Sequence, residues 1–197
     1  MAIVTRELPR LERDKFLRHL RALDAEDRRL RFGLALPDAA IDDYVAGVDF
    51  GRDAVFGVFD DSLELVGAAH VARADVHAEL GVSVLPAHRG RGIGAALLAR
   101  AHVHARNWGI GTLFMHCLTE NGAMMHLAQE QGMRIIAERG EADAHLALPP
   151  ASPASIAQAL FDERVGLFDY ALKSQVEVAR RLILAGVLTA PPADERP

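Results

Sequence analysis

Apolar positions along this chain change their period several times, and each change marks an element. Ala54–Phe59, Leu65–Ala72 and His77–Val84 read as strands, with Asp60-Asp61-Ser62 and Arg73-Ala74-Asp75 as the turns between them. Turns that short force antiparallel neighbours. In the third strand Leu80, Val82 and Val84 alternate with Gly81 and Ser83, and Pro86 ends the ladder by removing a donor. Gly90, Gly92 and Gly94 follow. The spacing then turns helical through Ile93, Leu97, Leu98, Ala101 and Ala105, which predicts a helix over Ile93–Asn107.

Around this centre the rest of the pattern falls into place. Ile3–Leu8 reads as a first strand. Leu11, Phe16, Leu17, Leu20 and Leu23 have helical spacing. Asp24 reads as an N-cap, with Glu26 and Asp27 in the first turn of a short helix ending at Phe32; Asp24 and Asp27 are both expected to cap. One or two further helical turns cover Ile41–Val45. Thr112–Leu118 is a buried strand, parallel to the His77–Val84 strand because a helix crosses between them. Asn121 opens a helix that Gly132 ends, and Met133–Glu138 and His145–Leu148 are the last two strands. Pro149–Pro153 is a linker. Beyond it, Ile156, Leu160, Leu167, Phe168, Ala171, Leu172, Ala179, Leu182 and Ile183 predict one or two amphipathic helices, with a break at Gly166 and a stop at Gly186. The tail 191–197 is expected to be disordered. The division is therefore 1–150 as one domain and 151–197 as a helical extension with its tail.

A strand that runs through a glycine loop into a helix N-terminus has a chemical consequence. The first N–H groups of the helix have no intrahelical partner and lie at the positive end of its dipole. Glycines let an anion approach the backbone, and Arg89 and Arg91 add full charge. A phosphate or diphosphate is the default ligand. Gly94-Ala95-Ala96 is not the Gly-Lys-Ser/Thr of an NTPase loop, and Gly90-Arg91-Gly92-Ile93-Gly94 has the wrong spacing for a dinucleotide fingerprint. Arg89, Gly92 and Gly94 do match Arg-x-x-Gly-x-Gly after a Val-x-Pro strand end. This resembles the acetyl-CoA-binding motif of the GNAT superfamily of N-acetyltransferases. The element order over Ala54–Leu148 is similar to that family's, and Leu23–Phe32 resembles a segment of the branch containing bacterial protein-lysine acetyltransferases.

The resemblance implies an α/β fold of the α+β type. Its mixed, mostly antiparallel sheet is splayed between two central parallel strands and flanked by helices. It also implies acetyl-CoA as co-substrate, gripped through its diphosphate by the loop. Cofactor contacts are expected from Val82, Ser83, Val84, Arg89, Gly90, Arg91, Gly92, Ile93, Gly94 and Ala95, with Asn121 on the pantetheine amide or acting as a helix N-cap. Members of the family with a carboxylate in this strand use it as a base, which selects Glu79; a solvated strand residue or a charge anchor is the plainer reading. A backbone N–H near Val84, freed by a bulge, would receive the thioester oxygen. Where many members have a tyrosine as general acid, this chain has Ala128.

Composition narrows the class. Among 197 residues 50% are hydrophobic, enough for a substantial core, and no run reaches the ~18 apolar residues of a membrane span. Cys117 is the sole cysteine, so an internal disulfide is excluded. The first ten residues lack the layout of a signal peptide, which predicts a cytoplasmic protein. The net charge of −5 argues against nucleic acid as a main partner. No metal-ligand spacing occurs among the histidines and Cys117. The expected activity is transfer of an acetyl group to a primary amine, on a protein lysine or a small molecule, without an acyl-enzyme. The alternative is a GNAT-like acyl-CoA sensor or scaffold with little catalysis. The C-terminal helices either pack on their own domain, form a homodimer contact or cover the acceptor cleft.

Overall fold

The computed structural model describes residues 3–184. Gly186 and the 191–197 tail lie outside them. Seven strands form one sheet in the order β1-β2-β3-β4-β5-β7-β6: β1 Arg6–Glu7, β2 Ala54–Phe59, β3 Leu65–Ala74, β4 His77–Val84, β5 Thr112–Leu118, β6 Arg134–Glu138 and β7 Glu141–Ala147. All neighbours are antiparallel except β4 and β5. The helices are α1 Arg13–Arg21, α2 Ala25–Phe32, α3 Asp38–Gly47, α4 Ile93–Asn107, α5 Gly122–Glu130 and α6 Pro153–Leu184.

Side-chain alternation sorts the core into two layers. Ala78, Leu80 and Val82 of β4 pack with Leu97, Leu98 and Ala101 of α4 on one face. On the other, Val55 and Leu65 meet Phe16 and Leu20 of α1 and Ile41 and Val45 of α3. Both faces of β2 and β3 are thus covered, which is why these strands are apolar almost throughout.

Four expectations are corrected. Leu11 belongs to no helical face: it sits in a 3-10 turn over Arg10–Glu12 and is 96% exposed, because the α-helix starts only at Arg13. The last strand begins at Glu141, four residues before His145. Arg139 and Gly140 both adopt positive φ and turn the chain directly from β6 into β7. Its polar start hid this strand. The third correction concerns Asp27, whose carboxylate does not cap; only Asp24 does, accepting from the Asp27 N–H at 2.8 Å. The fourth concerns α6, which runs unbroken through Gly166. That glycine is buried against β1, where a Cβ would lie 2.5 Å from the Thr5 carbonyl oxygen. It permits close approach of two backbones instead of ending a helix.

The start of α6 is fixed by a reciprocal cap. Ser155 N–H donates to Ser152 Oγ (3.1 Å), and Ser152 N–H donates to Ser155 Oγ (2.9 Å). Arg100, buried in α4, donates to Ala159 O at 3.0 Å and pairs with Glu163 at 2.8 Å. Tyr170 packs edge-on to Phe59 and lies under Arg6, and Lys173 donates to Phe59 O. The extension therefore docks on its own domain along β1 and α4. Leu172, Val176, Val178, Leu182 and Ile183 remain exposed on its outer part.

Candidate active site

The cleft is made by a failure of strand pairing. β4 and β5 pair only from His77↔Thr112 to Glu79↔Phe114. Beyond Glu79 the two strands part, and β4 keeps its partner on the β3 side alone. Leu85 N–H donates to Val66 O at 2.9 Å, which sets the phase of the antiparallel ladder. Ser83, Gly81 and Glu79 share that phase and aim their N–H groups at β3, so Val82 and Val84 aim theirs into the gap. No bulge is needed for this: the register is unbroken from Gly67↔Val84 to Ala74↔His77, contrary to the sequence-based expectation.

The gap opens into a cleft of about 360 Å³ that continues to the glycine loop. It brings together Val82, Ser83, Val84, Arg89, Gly90, Gly92, Ile93, Gly94, Ala95 and Asn121. Gly90 and Gly92 adopt φ of +70° and +81°, a region closed to most side chains. Their conformation turns the chain so that α4 starts at Ile93 facing the cleft. Among the described residues the N–H groups of Gly90 through Ala95 meet no acceptor, and the first satisfied amide is Ala96, which donates to Gly92 O at 3.0 Å. A Cβ at Gly94 would meet Leu127 Cδ2 of α5 at 3.6 Å, so its hydrogen leaves the floor of the cleft open. A run of free amides, an open floor and a helix N-terminus fit a diphosphate.

The two arginines play unequal parts. Arg89 donates through Nε to Val84 O at 3.0 Å and lies 2.6 Å from Asp27 Oδ1. Asp27 is buried for this reason, and its role was hidden behind its capping position in the sequence. Arg91 lies outside the cleft lining and donates to Ala87 O at 3.0 Å.

Ser83 is committed to α1. His19 Nδ1–H donates to Leu65 O (2.7 Å), so Nε2 is the acceptor for the Ser83 hydroxyl at 2.8 Å. Burial lowers the His19 pKa to about 4, which keeps it neutral. Asn121 caps α5, accepting from Met124 N–H at 3.1 Å, and donates to Leu30 O at 3.3 Å. One of its two amide protons stays free. Glu79 is exposed and does not line the cleft; it shares a face of β4 with Gly81 and Ser83. Ala128, on the inner side of α5, is fully buried in the core.

Arg31, Leu30 and Leu23 of the α1–α2 region also line the cleft, as do His88, Ala123 and His126. Leu23, Leu30 and Arg31 lie in the Leu23–Phe32 segment that carries the branch resemblance, but nothing in that phrase marked them as lining residues. His126 is exposed and pairs with Glu130 at 3.3 Å. Burial raises the Cys117 pKa, and the Asp143 charge adds to this, so the thiol is no activated nucleophile. Among the described residues no group of three His, Cys, Asp or Glu could hold a metal ion, and no helix is long and apolar enough to cross a membrane.

Comparison with known proteins agrees with this geometry. The GNAT domain of S. lividans PAT superposes with a TM-score of 0.62 at 20% identity, over 73% of this chain and 89% of that one. The yncA structure from Salmonella typhimurium, which holds its cofactor acetyl-CoA, gives 0.58 at 16% identity over 77% and 97%. The ribosomal-protein-S18-alanine N-acetyltransferase of Escherichia coli gives 0.56 at 16% identity over 77% and 96%. These likenesses show the fold. No curated protein sequence matches the chain. The Acetyltransferase (GNAT) family model matches residues 17–133, a span that holds the parted strands, the glycine loop and both flanking helices. With more than half of its length inside that match, the chain belongs to the GNAT acetyltransferase family.

Proposed function

We propose that the protein transfers an acetyl group from acetyl-CoA to a primary amine, on a protein lysine or a small molecule, by direct attack in a ternary complex. The observation that carries this reading is the run of unpartnered amides from Gly90 to Ala95, a ready receptor for the diphosphate of the coenzyme. Acetyl-CoA, when bound, supplies an activated acyl carbon with a thiol leaving group. Val82 and Val84 hold N–H groups toward the strand gap, where they can orient a carbonyl oxygen and stabilise charge that develops on it. Asn121 has a free amide proton for the pantetheine arm.

An ammonium has no lone pair, so a base must take its proton. Glu79 fills that role, directly or through water, from the exposed end of the face that Gly81 and Ser83 share. No phenol stands at the usual acid position, but a thiol with a pKa near ~8.5 leaves without much help. One observation favours a second reading, an acyl-CoA sensor: Ala128 is sealed in the core and offers no acid.

One assay separates the two. The protein is mixed with acetyl-CoA and a panel of amines, and thiol release is followed. Turnover on any amine supports the transferase; calorimetric binding of acetyl-CoA with no turnover across the panel supports the sensor.

A further inference from the structure

Arg31 stands at the head of the cleft, and among the described residues its charge has no counter-ion. Its guanidinium lies over Gly81, where a Cβ would overlap it, which accounts for a glycine in the middle of β4. It lines both the main cleft and a small recess between the parted strands, formed with Leu80, Gly81, Met115 and Cys117. Nη2 donates to the Tyr44 hydroxyl at 3.2 Å, and the Phe32 ring lies 4.7 Å from the guanidinium carbon. Nε is buried without a partner.

The surrounding groups are all otherwise engaged. His19 and His70 are neutral, held down first by burial; the Arg31 charge adds to both. The Tyr44 hydroxyl contacts His70 Nδ1 at 2.7 Å. Asp53 accepts from Arg52 at 3.0 Å and from the Arg73 N–H at 3.1 Å, and Asp27 belongs to Arg89. Among the described residues no carboxylate lies within ion-pair distance of Arg31. A guanidinium half withdrawn from water with no counter-ion is unfavourable until an anion reaches its outer N–H groups; the sealed Nε is not among them. Its planar fork matches a carboxylate through two parallel hydrogen bonds.

We propose that Arg31 determines specificity by receiving a carboxylate carried by one of the two substrates, either the far end of a dicarboxylic acyl group or the carboxylate of an amino-acid acceptor. This rests on the acyltransferase reading of the cleft. The recess, at about 10 Å³, is too small for a carboxylate, so the ligand meets Arg31 from the 360 Å³ cleft, where the other lining arginine, Arg89, is already paired with Asp27.

Calorimetry on the wild type, Arg31→Met and Arg31→Lys tests this in two arms. One compares succinyl-CoA with acetyl-CoA. The other compares lysine with cadaverine, titrated into protein loaded with coenzyme A. In one arm the carboxylate-bearing ligand should bind at least about tenfold tighter to the wild type. Arg31→Met should abolish that preference, and Arg31→Lys should keep part of it, since charge remains but the fork is lost. Thermal unfolding checks that both variants fold. Equal affinities in both arms, or a preference that survives Arg31→Met, overturn the proposal. If the wild type binds acetyl-CoA in either case, the acyltransferase reading stands; failure to bind acetyl-CoA would sink both.

Discussion

Arg89 Nη2 lies 2.6 Å from Asp27 Oδ1, and this contact ties the glycine loop to α2. The same guanidinium holds the end of β4 through Val84 O. Arg89 is therefore a brace whose charge is already balanced, so at the glycine loop itself the positive potential comes mainly from the amides.

Asp27→Asn keeps the shape of that brace and removes its charge. Arg89 is half exposed, so the loss of stability should be small, about 1 kcal/mol in a denaturant titration. Coenzyme A should bind severalfold more weakly, because the loop that presents the amides loses a tether. An unchanged dissociation constant would show that the loop holds its conformation without α2.

Glu79→Gln leaves the cleft lining untouched, since Glu79 is not part of it. Turnover on any accepted amine should fall about a hundredfold or more, the usual worth of a positioned base. Coenzyme A affinity should stay the same. Turnover equal to that of the wild type would remove Glu79 from catalysis.

Two buried histidines and one half-buried histidine predict acid sensitivity. His19, His70 and His104 have pKa values lowered from 6.5 to about 4, in each case first by burial. The unfolded chain binds protons at these sites where the folded protein does not. The stability that they contribute is therefore complete above pH 6.5 and lost as pH falls toward 4, up to ~3 kcal/mol for each. His104 stacks edge-on against Phe56 and Trp108, and its Nε2 is buried without a partner. His104→Phe should raise the melting temperature more at pH 5 than at pH 8. An equal shift at both pH values would remove His104 from the effect.

Gly166→Ala sets two effects against each other. Helix propensity alone favours alanine by about 1 kcal/mol. The added methyl would lie 2.5 Å from Thr5 O and 3.2 Å from Arg6 Cα, and backbone on both sides cannot yield easily. Overpacking should win, with a net loss of about 1–2 kcal/mol. A gain in stability would mean that α6 does not rest on β1 in this way.

Much of this fold was legible because its signals are local. The alternation in β4, the period change at Gly92 and the helical spacing of α4 gave bounds that the structure reproduces at both ends. The loop announced itself through glycines whose positive φ is a property of each residue. What stayed hidden depends on distant partners. Gly166 reads as a helix breaker until β1 is seen against it. Asp27 reads as a capping residue until Arg89, sixty-two positions later, is found beside it. Arg31 looks like one more arginine in Arg-Arg-Leu-Arg; only its place over Gly81 separates it from its neighbours. The freed N–H of Val84 follows from parted strands and ladder phase, neither of which can be read from residues 82–84 alone.

Titration of coenzyme A into wild type and Gly94→Glu by calorimetry tests the central claim most directly. An acid in the first turn of α4 suits the helix dipole, and the open space beside Gly94 accommodates a side chain, so the fold should be as stable as before. The same carboxylate would occupy and repel the diphosphate site. The account predicts at least about a hundredfold weaker binding with an unchanged melting temperature. Equal dissociation constants for the two proteins would contradict it.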